Sequence, residues 1–252
     1  DPMSQKLHDI LLAESENNKD LYLPHISIDS VVFGFDGENL HVLLTSLIGK
    51  SEWMLPGGYV FKEENINSSA HRILQERTGA ENIFLSQFKT YGATQRSEDA
   101  FTELPEDLWH KQRYISIAYY ALTRYDAVNP RTDKYSDSCA WQPVEQLPEI
   151  MMDHKGIIED ALMHLRRDLN YKPVGLNLLP QKFTMPELQR LYEIILDKSL
   201  NRGNFYRKMT RYNILEKLNE TRRGGAHKAP DLYSFNLENY NVALENGLQE
   251  SW

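Results

Sequence analysis

The chain has 252 residues, 41% hydrophobic and 25% charged, so its length admits two ordinary domains with a sizeable core. Net charge is −8, which argues against a surface that is basic throughout, and no apolar run approaches the ~20 residues of a membrane helix. The single cysteine, Cys139, excludes an internal disulfide and a cysteine metal cluster and fits a reducing, cytoplasmic setting.

Asp1-Pro2 ahead of Met3 reads as a tag remnant, and the N-terminus lacks a signal-peptide pattern. Ser4–Glu16 carries Leu7, Ile10, Leu11 and Leu12 at helical spacing. Residues 1–20 are therefore expected to hold that remnant and a short helix, packed on the body or on a second subunit. Ile26–Asp36 alternates and is rich in β-branched residues. With the Asp36-Gly37 turn and Leu40–Leu47 it predicts a hairpin. Next comes a glycine pair, Gly57-Gly58, which lets backbone turn tightly and approach a ligand closely. Asn65–Gly79 then reads as a helix with Ile66, Ala70, Ile73 and Leu74 as its apolar positions and Gly79 as its stop. Strands are predicted at Asn82–Gly92, Tyr114–Thr123 and Ala140–Val144, with Cys139 a small core residue at a strand start, and an amphipathic helix at Gly156–Leu169. Strands interleaved with two helices imply an α/β/α sandwich on a mixed sheet.

Between two of these strands lies Ser97–Gln112, an acidic segment with Phe101, Leu104, Leu108 and Trp109 as its apolar residues. It is either a surface loop with a short helix, or a lid over a pocket or a dimer contact; Arg96 and Arg113 flank it.

After Lys172–Leu176, which reads as a linker, the composition changes. Thr184 is placed to cap a helix with Pro186 in its first turn and a stripe of Leu188, Leu191, Tyr192, Ile195 and Leu196. Asn201–Tyr212 predicts a second, basic helix with Phe205 and Met209 inward. Ile214–Leu218 and Asp231–Phe235 predict a strand pair around an Arg/Gly tip. This is the plan of a winged helix-turn-helix, whose second helix enters the major groove. From Lys198 to Lys228 nine Lys and Arg face only Glu216 and Glu220, which leaves about −15 on the remainder: a basic working end on an acidic body. The candidate DNA contacts are Arg202, Asn204, Tyr206, Arg207, Lys208, Arg211, Arg222, Arg223 and Lys228. The expected division is 1–20, an α/β domain over 21–172, a smaller α+β winged-helix domain over 173–240, and a tail over 241–252.

Gly57–Ala80 resembles a Nudix box, G-x5-E-x7-R-E-U-x-E-E-x-G-U with U apolar. Gly58, Glu64, Arg72, Leu74, Glu76, Gly79 and Ala80 fall on the pattern. In that family three helix carboxylates hold the Mg²⁺ that assists pyrophosphate hydrolysis. Here those positions read Ile73, Glu76 and Arg77, and a guanidinium about 5 Å from Mg²⁺ would cost roughly 6 kcal/mol. Glu64, Arg72 and Glu76 are then vestigial, with no catalytic residue and no cofactor. With a winged helix behind it, and with RYISIAYYAL, Met152-Asp153-His154, LNLLPQKFT and RGNFYRKM, the chain resembles the Nudix-related transcriptional regulators (NrtR/AraR-like). The resemblance implies an effector-binding Nudix domain, a homodimer and double-stranded operator DNA. A sugar, sugar phosphate or ADP-ribose-like effector would meet Gly58, Tyr59, Glu64, Arg72, Arg77, Arg96, Arg113, Asp153 and His154. Two alternatives remain: a Mg²⁺-dependent hydrolase of nucleoside diphosphate derivatives, and a module that binds protein through the wing-like domain.

Overall fold

A computed structural model describes residues 2–81, 83–222 and 229–248. The chain forms two compact units, Asp1–Gly34 with His41–Ala161, and Phe35–Leu40 with Leu162–Trp252.

The first unit begins with α1 (Pro2–Leu21), longer than the short helix expected, because its apolar stripe docks: Leu7 and Leu11 are buried among Leu47, Ile48, Leu104, Leu108 and Met151. There follow β1 (Tyr22–Phe35), β2 (Leu40–Leu47), β3 (Trp53–Met54), β4 (Gly57–Phe61), α2 (Ile66–Thr78), β5 (Phe84–Tyr91), β6 (Ile115–Arg124), β7 (Ser136–Pro143) and α3 (His154–Asp168), the last running on into the second unit. The sheet runs β3-β2-β1-β6-β5, with β4 paired to β1 and β7 to β2; a parallel bridge joins Trp53 to Ile150. The expected α/β/α arrangement on a mixed sheet is what forms.

β1 lies between β2 and β6, and its second half, Ile28 to Phe35, is buried throughout. A strand covered on both faces needs an apolar run rather than alternation. Helix α2 closes one face through Ala70, Ile73 and Leu74, against Ile28, Val60 and Tyr119 on one side and Val32, Leu43 and Ala121 on the other. Its ends are those its sequence dictates. The Asn65 side chain accepts from the Ser68 N–H at 2.9 Å, and Gly79 takes a left-handed φ of 77° while donating to the Gln75 carbonyl. Cys139 sits half-buried in β7, where burial pushes its thiol up to about 11.

The second unit contains β8 (Phe183–Thr184), α4 (Met185–Leu196), α5 (Arg202–Tyr212), β9 (Leu215–Thr221), β10 (Asp231–Phe235) and α6 (Leu237–Asn246), with sheet order β8-β10-β9. α4 starts with a full capping box: the Thr184 side chain accepts from Glu187 N–H while the Glu187 carboxylate accepts from Thr184 N–H at 2.7 Å. Tyr192 meets Phe205 edge-on at 5.5 Å, which fixes α4 against α5.

Two expectations need correction here. The tail expected over 241–252 is helical as far as Asn246, because Asn236 caps α6 and Tyr240 is buried against Phe235 with its hydroxyl on the Pro173 carbonyl at 3.0 Å. Nor is Lys172–Leu176 a free linker. Val174 is buried, and Gly175 at φ 132° packs so closely that a Cβ there would meet the Phe235 ring at 2.9 Å.

Candidate functional site

In the first unit a cavity of ≈ 570 Å³ opens between β1, β4, α2, α1 and the 97–112 segment. The glycine pair explains part of its floor. A Cβ on Gly57 would strike the Asp29 carboxylate, which sits opposite it in the β1–β4 register. A Cβ on Gly58 would crowd Ile73 at 3.1 Å, so the glycine lets α2 seat on β4.

The box carboxylates are spoken for. Arg72 donates from Nε to Glu64 Oε1 at 2.9 Å, from Nη2 to Glu64 Oε2 at 2.8 Å, and from Nη1 to Glu76 Oε2 at 3.1 Å. Its Nη2 also reaches the Tyr59 carbonyl at 2.8 Å, and its guanidinium lies 4.1 Å over the Phe61 ring. The Arg72 hydrogen bonds hold the Glu64 carboxyl below its usual range, and Ser69 Oγ donates to it at 2.6 Å. At the two departures from the box, Ile73 is buried in the core, and Arg77 pairs with Asp133, both side chains 10% exposed. Among the described residues no group of three His, Cys, Asp or Glu is placed to hold a metal ion.

A second charged cluster also lines the cavity. Arg96, with 4% of its side chain exposed, makes a two-pronged pair with Asp153 at 2.8 and 2.9 Å and stands 3.6 Å from Asp29. Asp29 also accepts from Ser116 Oγ. His154 begins α3 fully buried; burial pushes its pKa down, and its Nδ1 accepts from the Leu55 N–H at 3.0 Å. Its proton is therefore on Nε2, 3.7 Å from Asp29 Oδ1. Aromatic rings supply much of the remaining wall: Tyr59 contacts Tyr22 at 5.6 Å, Tyr114 at 5.1 Å and His110 at 5.9 Å.

Of the effector contacts expected from the sequence, Gly58, Tyr59, Arg72, Arg77, Arg96 and His154 line the cavity. Glu64 and Asp153 stand behind it, each occupied by the arginine it orients. Arg113 lies off the wall, donating to the Gly92 carbonyl at 3.0 Å while its own carbonyl accepts from His25. The sequence reading missed Asp29, Ser97, His110 and Asp133, all on the lining. Asp29 carried a signal: a lone acid inside the apolar run Ile28–Phe35. The 97–112 segment does contribute wall, through Ser97, Ala100, Phe101 and His110.

In the second unit α5 presents Arg202, Asn204, Tyr206, Arg207 and Arg211 to solvent, while Phe205 and Met209 face inward; Lys208 is half-buried. Arg207 donates to the Asn204 side chain. Arg222 is paired with Glu187 of the capping box, Lys217 with Asp231, and Lys182 with Glu220, so these three cations are offset within the unit. Arg223 and Lys228 lie outside the described residues.

This cavity beside a glycine pair, a box helix and a mixed sheet defines a Nudix unit, and the chain belongs to that family: the NUDIX domain model matches residues 23–161. Behind it, residues 175–235 match the NrtR DNA-binding winged helix domain, so the chain joins a Nudix domain to a winged helix of that type. The chain is similar to the ADPR responsive transcriptional repressor NtrR of Acinetobacter baylyi, 29% identical over 233 residues, 90% of this chain and 88% of that one. In fold it is similar to Shewanella oneidensis NrtR, with TM-score 0.72, 24% identity, and 90% and 100% of the two chains covered. The same protein complexed with a 27mer DNA gives TM-score 0.71 at 24% identity, covering 90% and 99%.

Proposed function

We propose that this protein is an effector-responsive transcriptional regulator. Its winged helix would bind double-stranded operator DNA as a cytoplasmic homodimer, and its Nudix unit would have exchanged catalysis for sensing. The DNA part is supported by the winged-helix match and by the cations of α5, the helix that would enter the major groove. The repressor named in Acinetobacter baylyi and the DNA complex of the Shewanella oneidensis protein are consistent with it.

The observation that carries the sensing reading is the charge balance of the cavity. Its cations are Arg72, Arg77, Arg96 and Lys134, and each already faces a carboxylate: Glu64 and Glu76, Asp133, Asp153, and Glu14. A pyrophosphate needs uncompensated cations or a metal. The donors present do not fit Mg²⁺, because Ile73 is core, Arg77 brings positive charge, and Glu64 and Glu76 share one arginine. Alternating carboxylates and guanidinium groups beside tyrosine faces suit the hydroxyls and ring of a small neutral sugar. A second reading, ADP-ribose, is favoured by the name of the Acinetobacter baylyi relative and would require at least one of these ion pairs to open.

The test is duplex-DNA binding by fluorescence anisotropy, using sites selected from a random pool, with and without pentoses, pentose phosphates and ADP-ribose. Selective retention of a duplex that one neutral sugar alters supports the account. Absence of sequence-selective binding contradicts the DNA reading; a response to ADP-ribose alone assigns the effector to the second reading.

A further inference from the structure

Several glycines of the chain are explained by their own surroundings. Gly57, Gly58 and Gly175 have no room for a Cβ, and Gly79 takes a left-handed φ. Gly203, in the first turn of α5, is different. Its backbone is helical, and among the described residues a Cβ there would meet only the Asn201 Oδ1, at an ordinary 3.4 Å. Glycine in a helix is less stable than alanine because it gives up more backbone freedom on folding. The fold therefore carries that cost at Gly203 without a packing reason for it.

The reason lies on the outside of the helix. Gly203 is exposed and stands one turn before Arg207, on the side of α5 away from the buried Phe205 and Met209. Arg202, Tyr206 and Arg211 are exposed around it, so the bare position sits within a cationic face. Long helical side chains lean back over the preceding turn, yet Arg207 donates to the Asn204 side chain and brings no atom within 4 Å of the missing Cβ. The backbone at Gly203 is thus left uncovered on the face that would meet DNA. Glycine serves where a ligand must come up against backbone.

We propose that the duplex comes closest to α5 at Gly203, where the absent side chain admits it against the helix backbone while Arg207, one turn on, takes phosphate. Gly203 thereby sets how deeply the helix seats. The inference rests on the DNA reading proposed above.

The experiment uses the full chain and three variants. Gly203→Ala and Gly203→Leu add bulk without charge, and Gly156→Ala makes the same exchange in α3, where a Cβ would meet nothing within 4 Å. Duplex binding is read by fluorescence anisotropy on a site selected from a random pool, and stability by urea unfolding. Gly203→Ala is expected to weaken duplex binding about tenfold and Gly203→Leu further, while the urea midpoint of Gly203→Ala stays at or above that of wild type. Gly156→Ala is expected to keep wild-type affinity. Equal duplex affinity in wild type and Gly203→Leu overturns the close approach and leaves the DNA reading standing. A lowered urea midpoint for Gly203→Ala, or failure to fold, also overturns it, because the fold itself would then require the glycine. So does a loss of affinity in Gly156→Ala as large as that in Gly203→Ala. A wild type that binds no duplex overturns the DNA reading and this inference with it.

Discussion

Arg77→Ala tests whether the box helix has been rebuilt as structure. Arg77 stands where a Nudix hydrolase has a carboxylate, and here it pairs with Asp133, with 10% of each side chain exposed. Its guanidinium also lies 5.5 Å from the centre of the Tyr135 ring. Removing it strands the Asp133 carboxylate, which among the described residues keeps the Tyr135 N–H at 2.9 Å. Breaking a buried pair from one side costs about 3–5 kcal/mol, since the surviving charge keeps its desolvation penalty. At about 2–4 °C per kcal/mol for domains of this size, the melting temperature of the Nudix unit should fall on the order of 10 °C. Arg77→Met combined with Asp133→Asn removes both charges and should lose less than half as much. Arg77→Glu, which restores the residue of the family pattern, should be the most damaging because it sets carboxylate against carboxylate. Scanning calorimetry and urea unfolding provide the measurement. A loss below about 1 kcal/mol for Arg77→Ala, or a gain for Arg77→Glu, would refute the reasoning.

Further outcomes follow from the same geometry. Replacing Arg207 and Lys208 by alanine should weaken duplex binding and flatten its logarithmic salt dependence by roughly two phosphate contacts; an unchanged slope would remove α5 as the DNA-facing helix. Thr184→Ala should destabilise the winged-helix unit by about 1 kcal/mol through loss of the capping box, read as a shift in its urea midpoint. For His110 the folded pKa, about 4, lies below the ordinary value of 6.5, so the unfolded chain takes up the proton first. Its stabilising effect is complete above pH 6.5 and falls away, on the order of 3 kcal/mol, as pH drops toward 4. Denaturation of His110→Gln across that range should show a flatter profile than wild type, and parallel profiles would count against it.

What the sequence made legible was whatever local chemistry governs. Asn65 and Gly79 bracket α2, and Thr184 with Glu187 opens α4, because caps are satisfied within a few residues. The box likewise showed at once that Ile73 and Arg77 break its pattern. What it could not show were partners far apart in the chain. Asp133 lies 56 residues from Arg77, and Ser15 lies 94 from Trp109. Arg113 looked like a site residue from its place beside the 97–112 segment, yet its guanidinium turns to the Gly92 carbonyl. The second half of α6 fell in the expected tail over 241–252; burial of Tyr240, a tertiary contact, holds the helix in place.

The most direct measurement of the central claim, that a hydrolase's metal cradle has become a sensing pocket, is calorimetric titration with neutral pentoses and with ADP-ribose. Each titration would be run once in Mg²⁺ and once in chelator, with the ADP-ribose products analysed. The account predicts saturable binding of a pentose, equal in both conditions, and ADP-ribose recovered intact. Magnesium-dependent binding of ADP-ribose with release of AMP would contradict it.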